Sequence, residues 1–90
     1  MITRLLTIRG RVQGVNYRHS MRQRARQLGV NGWVRNCSDG SVEAIVCGTP
    51  DAVAQIIEWA KQGPTAAQVS DVSVKDAEGQ FDSFEVLPTP

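Results

Sequence analysis

Leu6, Ile8 and Val12 alternate with polar neighbours near the start of the chain, the period-two pattern of a strand with one buried face. It predicts a first strand from about Arg4 to Gly10. Tyr17, Met21, Ala25 and Leu28 then recur at helical spacing, and Gly29 follows as a stop. A helix is expected from Tyr17 or Arg18 to Leu28. Val30 to Asn36 reads as a second strand and Ser41 to Cys47 as a third, with Ser38-Asp39-Gly40 as the turn between them. A three-residue loop puts Val34 and Val46 on one face, which favours it over a two-residue turn.

A second helix begins at Thr49 or Pro50. Proline is tolerated in a first turn, and Asp51 sits favourably at the positive end. Val53, Ile56, Ile57 and Ala60 form its expected buried stripe, and Gly63-Pro64 ends it. Val69 to Val74 is a fourth strand and Phe84-Glu85-Val86 a short fifth, joined through a polar stretch, Asp76 to Gln80, expected to be mobile. The order βαββαβ with an additional short C-terminal strand implies an α+β, ferredoxin-like two-layer sandwich. Two helices would cover one face of a mainly antiparallel sheet. No repeat or linker interrupts the pattern, so residues 1–90 are expected to form one domain, near the low end of what folds without staples.

Charge changes this picture. All eight arginines lie before residue 36, and all nine acids begin at Asp39. The first 35 residues carry +8, and the rest carry two lysines minus nine acids, or −7, so a net charge of +1 hides a strong asymmetry. A fold that keeps the first strand and helix together builds a positive patch that attracts anions. Arg22 and Arg26 continue a four-residue stripe from Arg18, and cross-chain ion pairing accounts for some of the others.

The stretch at the centre of that patch is Gly10-Arg11-Val12-Gln13-Gly14-Val15-Asn16-Tyr17-Arg18, between the first strand and the first helix. Glycine and asparagine tolerate the positive φ angles that let consecutive amides converge on an anion. Arg18 adds a planar fork of donors matched to phosphate. An ordinary strand-to-helix connection accounts for the same glycines equally well. The stretch lacks a cysteine nucleophile and a Gly-Lys-Ser/Thr ending, which excludes a thiol-phosphatase cradle and a nucleotide P-loop. An anion held there meets no nucleophile, and attack falls to water.

Cys37 and Cys47 are offset along one hairpin at roughly 3.3 Å per residue, too far apart for a disulfide, which spans at most roughly 7 Å. They are expected to be reduced and incidental. With His19 the only histidine and no Cys-x-x-Cys, no metal site is expected. The chain shows no leader pattern and no apolar run long enough to span a bilayer, so a cytoplasmic location is expected, and its size and closed two-layer pattern favour a monomer.

Gly10-Arg11-Val12-Gln13-Gly14-Val15-x-Tyr17-Arg18 resembles the first motif of the acylphosphatases. Gly32-Trp33-Val34-Arg35-Asn36-x-x-x-Gly40-x-Val42, with Gly48 beyond, resembles their second. The resemblance covers nearly the whole chain. It implies hydrolysis of small acyl phosphates to a carboxylate and inorganic phosphate, with no metal or cofactor. It also implies that Arg11, Val12, Gln13, Gly14, Val15, Asn16, Tyr17 and Arg18 hold the phosphate, with Arg18 as the binding arginine and Asn36 orienting the attacking water. The chemistry agrees. A carboxylate whose conjugate acid has a pKa near roughly 4 to 4.5 leaves without a general acid. The protein has to hold the phosphoryl group, neutralise its charge and place a water.

On its residue type alone Asn36 reads first as a polar position entering a turn, and it is the resemblance that favours a water-orienting role. Arg11 either shapes the field or faces solvent. His19 projects about 100° around the helix from Arg18 and is expected to make a surface polar contact. Trp33, Trp59 and Tyr17 are expected to pack, and Asp39 to serve the turn. A catalytically idle anion-binding module and a nucleic-acid binder remain as other readings. The acidic second half and the lack of aromatics on the first and third strands disfavour the latter.

Overall fold

In a computed structural model that describes residues 1–90, these patterns become β1 (Ile2–Arg11), α1 (Tyr17–Leu28), β2 (Asn31–Asn36), β3 (Val42–Gly48), α2 (Pro50–Ala60), β4 (Gln68–Asp76) and β5 (Phe84–Val86). The strands form one sheet in the order β4-β1-β3-β2-β5. All neighbours are antiparallel except β2 and β5, which run parallel. Leu6 and Ile8 of β1, Val34 of β2, and Val42, Ala44 and Val46 of β3 are fully buried on one face. Met21 and Ala25 of α1 and Val53, Ile56 and Ala60 of α2 join them in one core cluster. The ferredoxin-like two-layer arrangement is therefore the fold of the chain.

Most element ends differ by a residue or two from the expected ones, for local reasons. β2 starts at Asn31 because Val30 belongs to the end of α1. Gly29, left-handed at φ 73°, donates to the Arg26 carbonyl at 3.3 Å, and the Val30 amide donates to the Ala25 carbonyl at 2.8 Å. This pair of bonds closes the helix. β3 starts at Val42 because the Ser41 amide donates to Asp39 Oδ1 at 3.0 Å within the turn. The three-residue register holds: Val34 faces Ala44, and both Val34 and Val46 are buried. β1 and β4 are longer than expected because each supplies the other with partners out to Arg11 and Gln68, across an irregularity at Arg9/Gly10. A side chain at Gly10, where φ is 121°, would overlap the Gln68 carbonyl oxygen, so glycine is what lets β4 approach there.

The polar segment after β4, expected to be mobile, is held across the open face of the sheet. The Ala77 amide donates to the Thr3 carbonyl at 3.1 Å, Thr3 Oγ1 donates to the Gly79 carbonyl at 3.3 Å, and Asn31 Nδ2 donates to the Phe81 carbonyl at 2.8 Å. Thr3 and Cys47 are buried on that face. Cys47 pairs with Asn31 at one end of β2, whereas Cys37 lies just past the other end, so the two free thiols are far apart. The rest of the open face carries Trp33, with the Arg35 guanidinium 4.8 Å over its ring and Arg35 paired to Glu43 at 2.7 Å.

α2 is capped in the ordinary way. Thr49 Oγ1 accepts from the Ala52 amide at 3.2 Å, Asp51 lies in the first turn, and Ile57 is half-buried at the margin of the stripe. Tyr17 links the start of α1 to the end of α2. Its hydroxyl donates to the Ala60 carbonyl at 2.7 Å, and its ring packs against Trp59 at 5.3 Å between centroids. Burial pushes the phenol well above its ordinary pKa, so it remains a donor throughout the physiological range. Tyr17→Phe keeps the ring and strands a helix-end carbonyl. Thermal unfolding should show a loss of about 1–2 kcal/mol, a fall in Tm of about 4–8 °C per kcal/mol.

Candidate functional site

β1 and α1 are joined by a loop that curls because of which residues face inward. Val12 and Val15 are buried in the core, Tyr17 is anchored on α2, and Gly14 and Asn16 stand outward. Gly14 (φ 73°) and Asn16 (φ 66°) are both left-handed, the conformation that turns successive N–H groups towards one side. The amides of Gln13 to Asn16 donate to no protein acceptor. The Ser20 amide is the first along α1 to bond back, to the Asn16 carbonyl at 3.2 Å. Asn16 occupies the cap position without capping. Its Nδ2 points instead to Ser20 Oγ at 3.4 Å, and no acid lies in the first turn. α1 thus presents a positive end with free donors, where α2 satisfies its own.

Arg18 rises from the first turn of α1, half-buried and without a hydrogen bond or ion pair. Arg4, Arg9, Arg26 and Arg35 pair with Asp76, Asp39, Glu85 and Glu43, which removes them from any common ligand site. Arg22 meets His19 Nδ1 at 3.3 Å and Arg24 meets Gln27 at 3.2 Å on the exposed helix face. Arg11 and Arg18, at the two ends of the loop, are the arginines left without a partner. Four of the eight arginines are thus paired with acids, whereas Arg22 and Arg24 keep their charge on the exposed face of α1 and Arg11 and Arg18 keep theirs beside the loop.

Asn36 ends β2, on the same strand face as the buried Val34. Its Oδ1 is buried and has no hydrogen-bond partner, an arrangement that costs free energy unless another donor supplies the bond. The turn that follows is brought against the loop. Gln13 Nε2 donates to the Cys37 carbonyl and to the Ser41 carbonyl, each at 2.8 Å. The turn is further organised by Asp39, whose Oδ1 accepts from Ser41 Oγ at 2.6 Å and whose Oδ2 lies 3.5 Å from Arg9 Nη1. The contacts of Gln13 and Arg9 with this turn were not legible in the sequence. They depend on β1 and β3 being neighbours, which no local pattern reveals.

Among the residues named from sequence, Val12, Val15 and Tyr17 offer backbone only, because their side chains are core. Gln13, Gly14 and Asn16 form the outward part of the loop. Arg11 is exposed and Arg18 half-buried. His19 is exposed, and its one polar contact is Arg22. No cluster of His, Cys, Asp and Glu has the makings of a metal site, and no helix is long and apolar enough to cross a membrane. Chemically, the site offers unpaired backbone donors, the free guanidinia of Arg11 and Arg18, and the Asn36 carboxamide.

A family model described as Acylphosphatase matches residues 5–86. A protein named acylphosphatase from Thiobacillus denitrificans (strain ATCC 25259 / T1) is 55% identical over 85 residues, covering 94% of this chain and 96% of its own. The solved structure of an acylphosphatase from Coxiella burnetii superposes with a TM-score of 0.92 at 37% identity, covering 96% of this chain and 92% of that one. That of an acylphosphatase from Bacillus subtilis does so with a TM-score of 0.92 at 30% identity, covering 97% and 99%.

Acid is expected to loosen the turn beside Asn36. The Ser41 hydroxyl and amide hold the Asp39 carboxyl below the ordinary carboxylate range, with Arg9 adding to the effect. A depressed pKa means that these contacts are complete above the unfolded value near 4 and fade as pH falls through the lowered folded value. An NMR titration should give Asp39 a midpoint below the ordinary aspartate value, with the Ser41 amide shifting in step. Asp39→Asn should remove that step.

Proposed function

The chain belongs to the acylphosphatase family and hydrolyses acyl phosphates to a carboxylate and inorganic phosphate, and we propose that it does so by water attack on a phosphoryl group held by the loop between β1 and α1. The observation that carries this reading is the coincidence of free donors: the amides of Gln13 to Asn16 and the Arg18 guanidinium lack partners in the same place. Backbone N–H groups at a helix start suit an anion, and a guanidinium matches two phosphoryl oxygens at once. Residues 11 to 18 hold the phosphate, Arg18 neutralises its charge, and Arg11 adds field from the opposite end of the loop.

Asn36 places the water. Its carboxamide can both donate and accept, so one neutral group fixes the nucleophile without repelling the phosphate. The water oxygen bonds to phosphorus as the bond to the acyl oxygen breaks. The carboxylate leaves with the electron pair, and the water's proton passes to a phosphoryl oxygen or to solvent. Phosphoryl transfer is loose, so little deprotonation is needed early, and a carboxylate needs no general acid to leave. Amides and a guanidinium supply the stabilisation for which other phosphoryl-transfer sites use a cation, and we read the reaction as metal-independent.

The chain is read as a cytoplasmic monomer acting on a small molecule. Nucleic acid is disfavoured because Arg35 already covers the ring of Trp33, the aromatic on the open sheet face.

Turnover of benzoyl phosphate in the presence of EDTA tests the whole reading. Arg18→Ala should lose turnover by about 10³-fold or more and weaken inhibition by inorganic phosphate at least about tenfold. Asn36→Ala should keep phosphate inhibition within about threefold while kcat falls about 10²–10³-fold. Parent-like hydrolysis by both variants rules the mechanism out. Phosphate binding by the parent without turnover would mark an idle anion module instead.

A further inference from the structure

Resting on the roles given above to the loop and Asn36, we infer that Gln13 is a positioning residue whose side chain fixes the phosphate-holding loop relative to Asn36. The Cys37 and Ser41 carbonyls that accept from its Nε2 stand on either side of the turn's neck, and Cys37 directly follows Asn36. No other hydrogen bond or ion pair links residues 12 to 18 with this turn; the Arg9–Asp39 pair reaches it from β1, and both partners are more than half exposed. That carboxamide is therefore the one polar tie between the phosphate-holding loop and the strand end that carries Asn36.

The side chain suits the task. A carboxamide nitrogen carries two N–H donors, one for each carbonyl, and brings no charge beside the anion. Glutamate offers no donor, and lysine would add a charge that competes for the phosphate. The turn does not depend on Gln13 for its own hydrogen bonds. The Cys37 carbonyl still accepts from the Gly40 amide at 3.2 Å, and the Ser41 carbonyl from the Cys37 amide at 2.8 Å. Truncation thus leaves both segments intact and releases their relative placement, the kind of small misplacement that costs about 10²-fold in rate.

A double-mutant cycle on benzoyl phosphate hydrolysis separates this role from a merely structural one. Gln13→Ala is expected to lower kcat about 10–100-fold, to leave phosphate inhibition within about threefold, and to lower Tm by less than about 8 °C. Gln13→Glu should do no better than Ala. In the Asn36→Ala background, Gln13→Ala should cost less than about a further threefold, because the group it positions is already gone. Should Gln13→Ala fail to fold, Gln13→Met, which keeps the stem without the donors, takes its place in the cycle. A parent-like kcat for Gln13→Ala, or an equal loss in both backgrounds, overturns the inference while leaving the catalytic reading in place. Asn36→Ala turning over at the parent's rate overturns that reading and this inference with it.

Discussion

Unspent hydrogen-bond donors at the start of α1 are the constraint around which the rest of the molecule is organised. A helix normally caps its first amides, and α2 does so through Thr49. α1 instead begins after two left-handed residues, with its cap side chain turned to Ser20. Such a segment persists only if its surroundings over-determine it. Val12 and Val15 are sunk in the core on either side of Gln13 and Gly14, Tyr17 is tied to the end of α2, and Gly10 lets β4 press against the strand that feeds the loop. The core thus keeps donors pointed outwards that, left free, would fold back onto carbonyls.

The electrostatics follow the same logic. Acids on β3, β4, β5 and the β2–β3 turn neutralise Arg35, Arg4, Arg26 and Arg9. These surface pairs contribute little stability each, of order 0–1 kcal/mol. Their larger effect is selective: they remove competing cations and leave Arg11 and Arg18 beside the loop. A sequence that looks polarised end to end thus leaves four arginines without an acidic partner, two beside the loop and two on the outer face of α1.

Much of this was legible in the residues. The periodicity located each element, the two left-handed positions coincide with Gly14 and Asn16, and the three-residue register of the β2–β3 turn follows from putting Val34 and Val46 on one face. The motif resemblance named the family whose model matches nearly the whole chain. What stayed hidden was non-local. Val30 reads as strand because nothing in its type shows that its amide closes α1, and the Asp76–Gln80 stretch reads as mobile because its partner, Thr3, is far away in sequence. The Gln13 contacts belong to the same class: a side chain's reach across strands appears only when the sheet order is known.

β1 lies between β3 and β4, so Ile8 faces Val42 on one side and Val72 on the other. The strand that launches the loop cannot be flanked on both sides until β4 has been made. Assembly from such distant pairings is slow and concentrates the conformational cost of closing long loops before any contact rewards it. On the ribosome, the loop between β1 and α1 emerges before β3 and β4, and the strand that launches it gains its second flank only when β4 has followed.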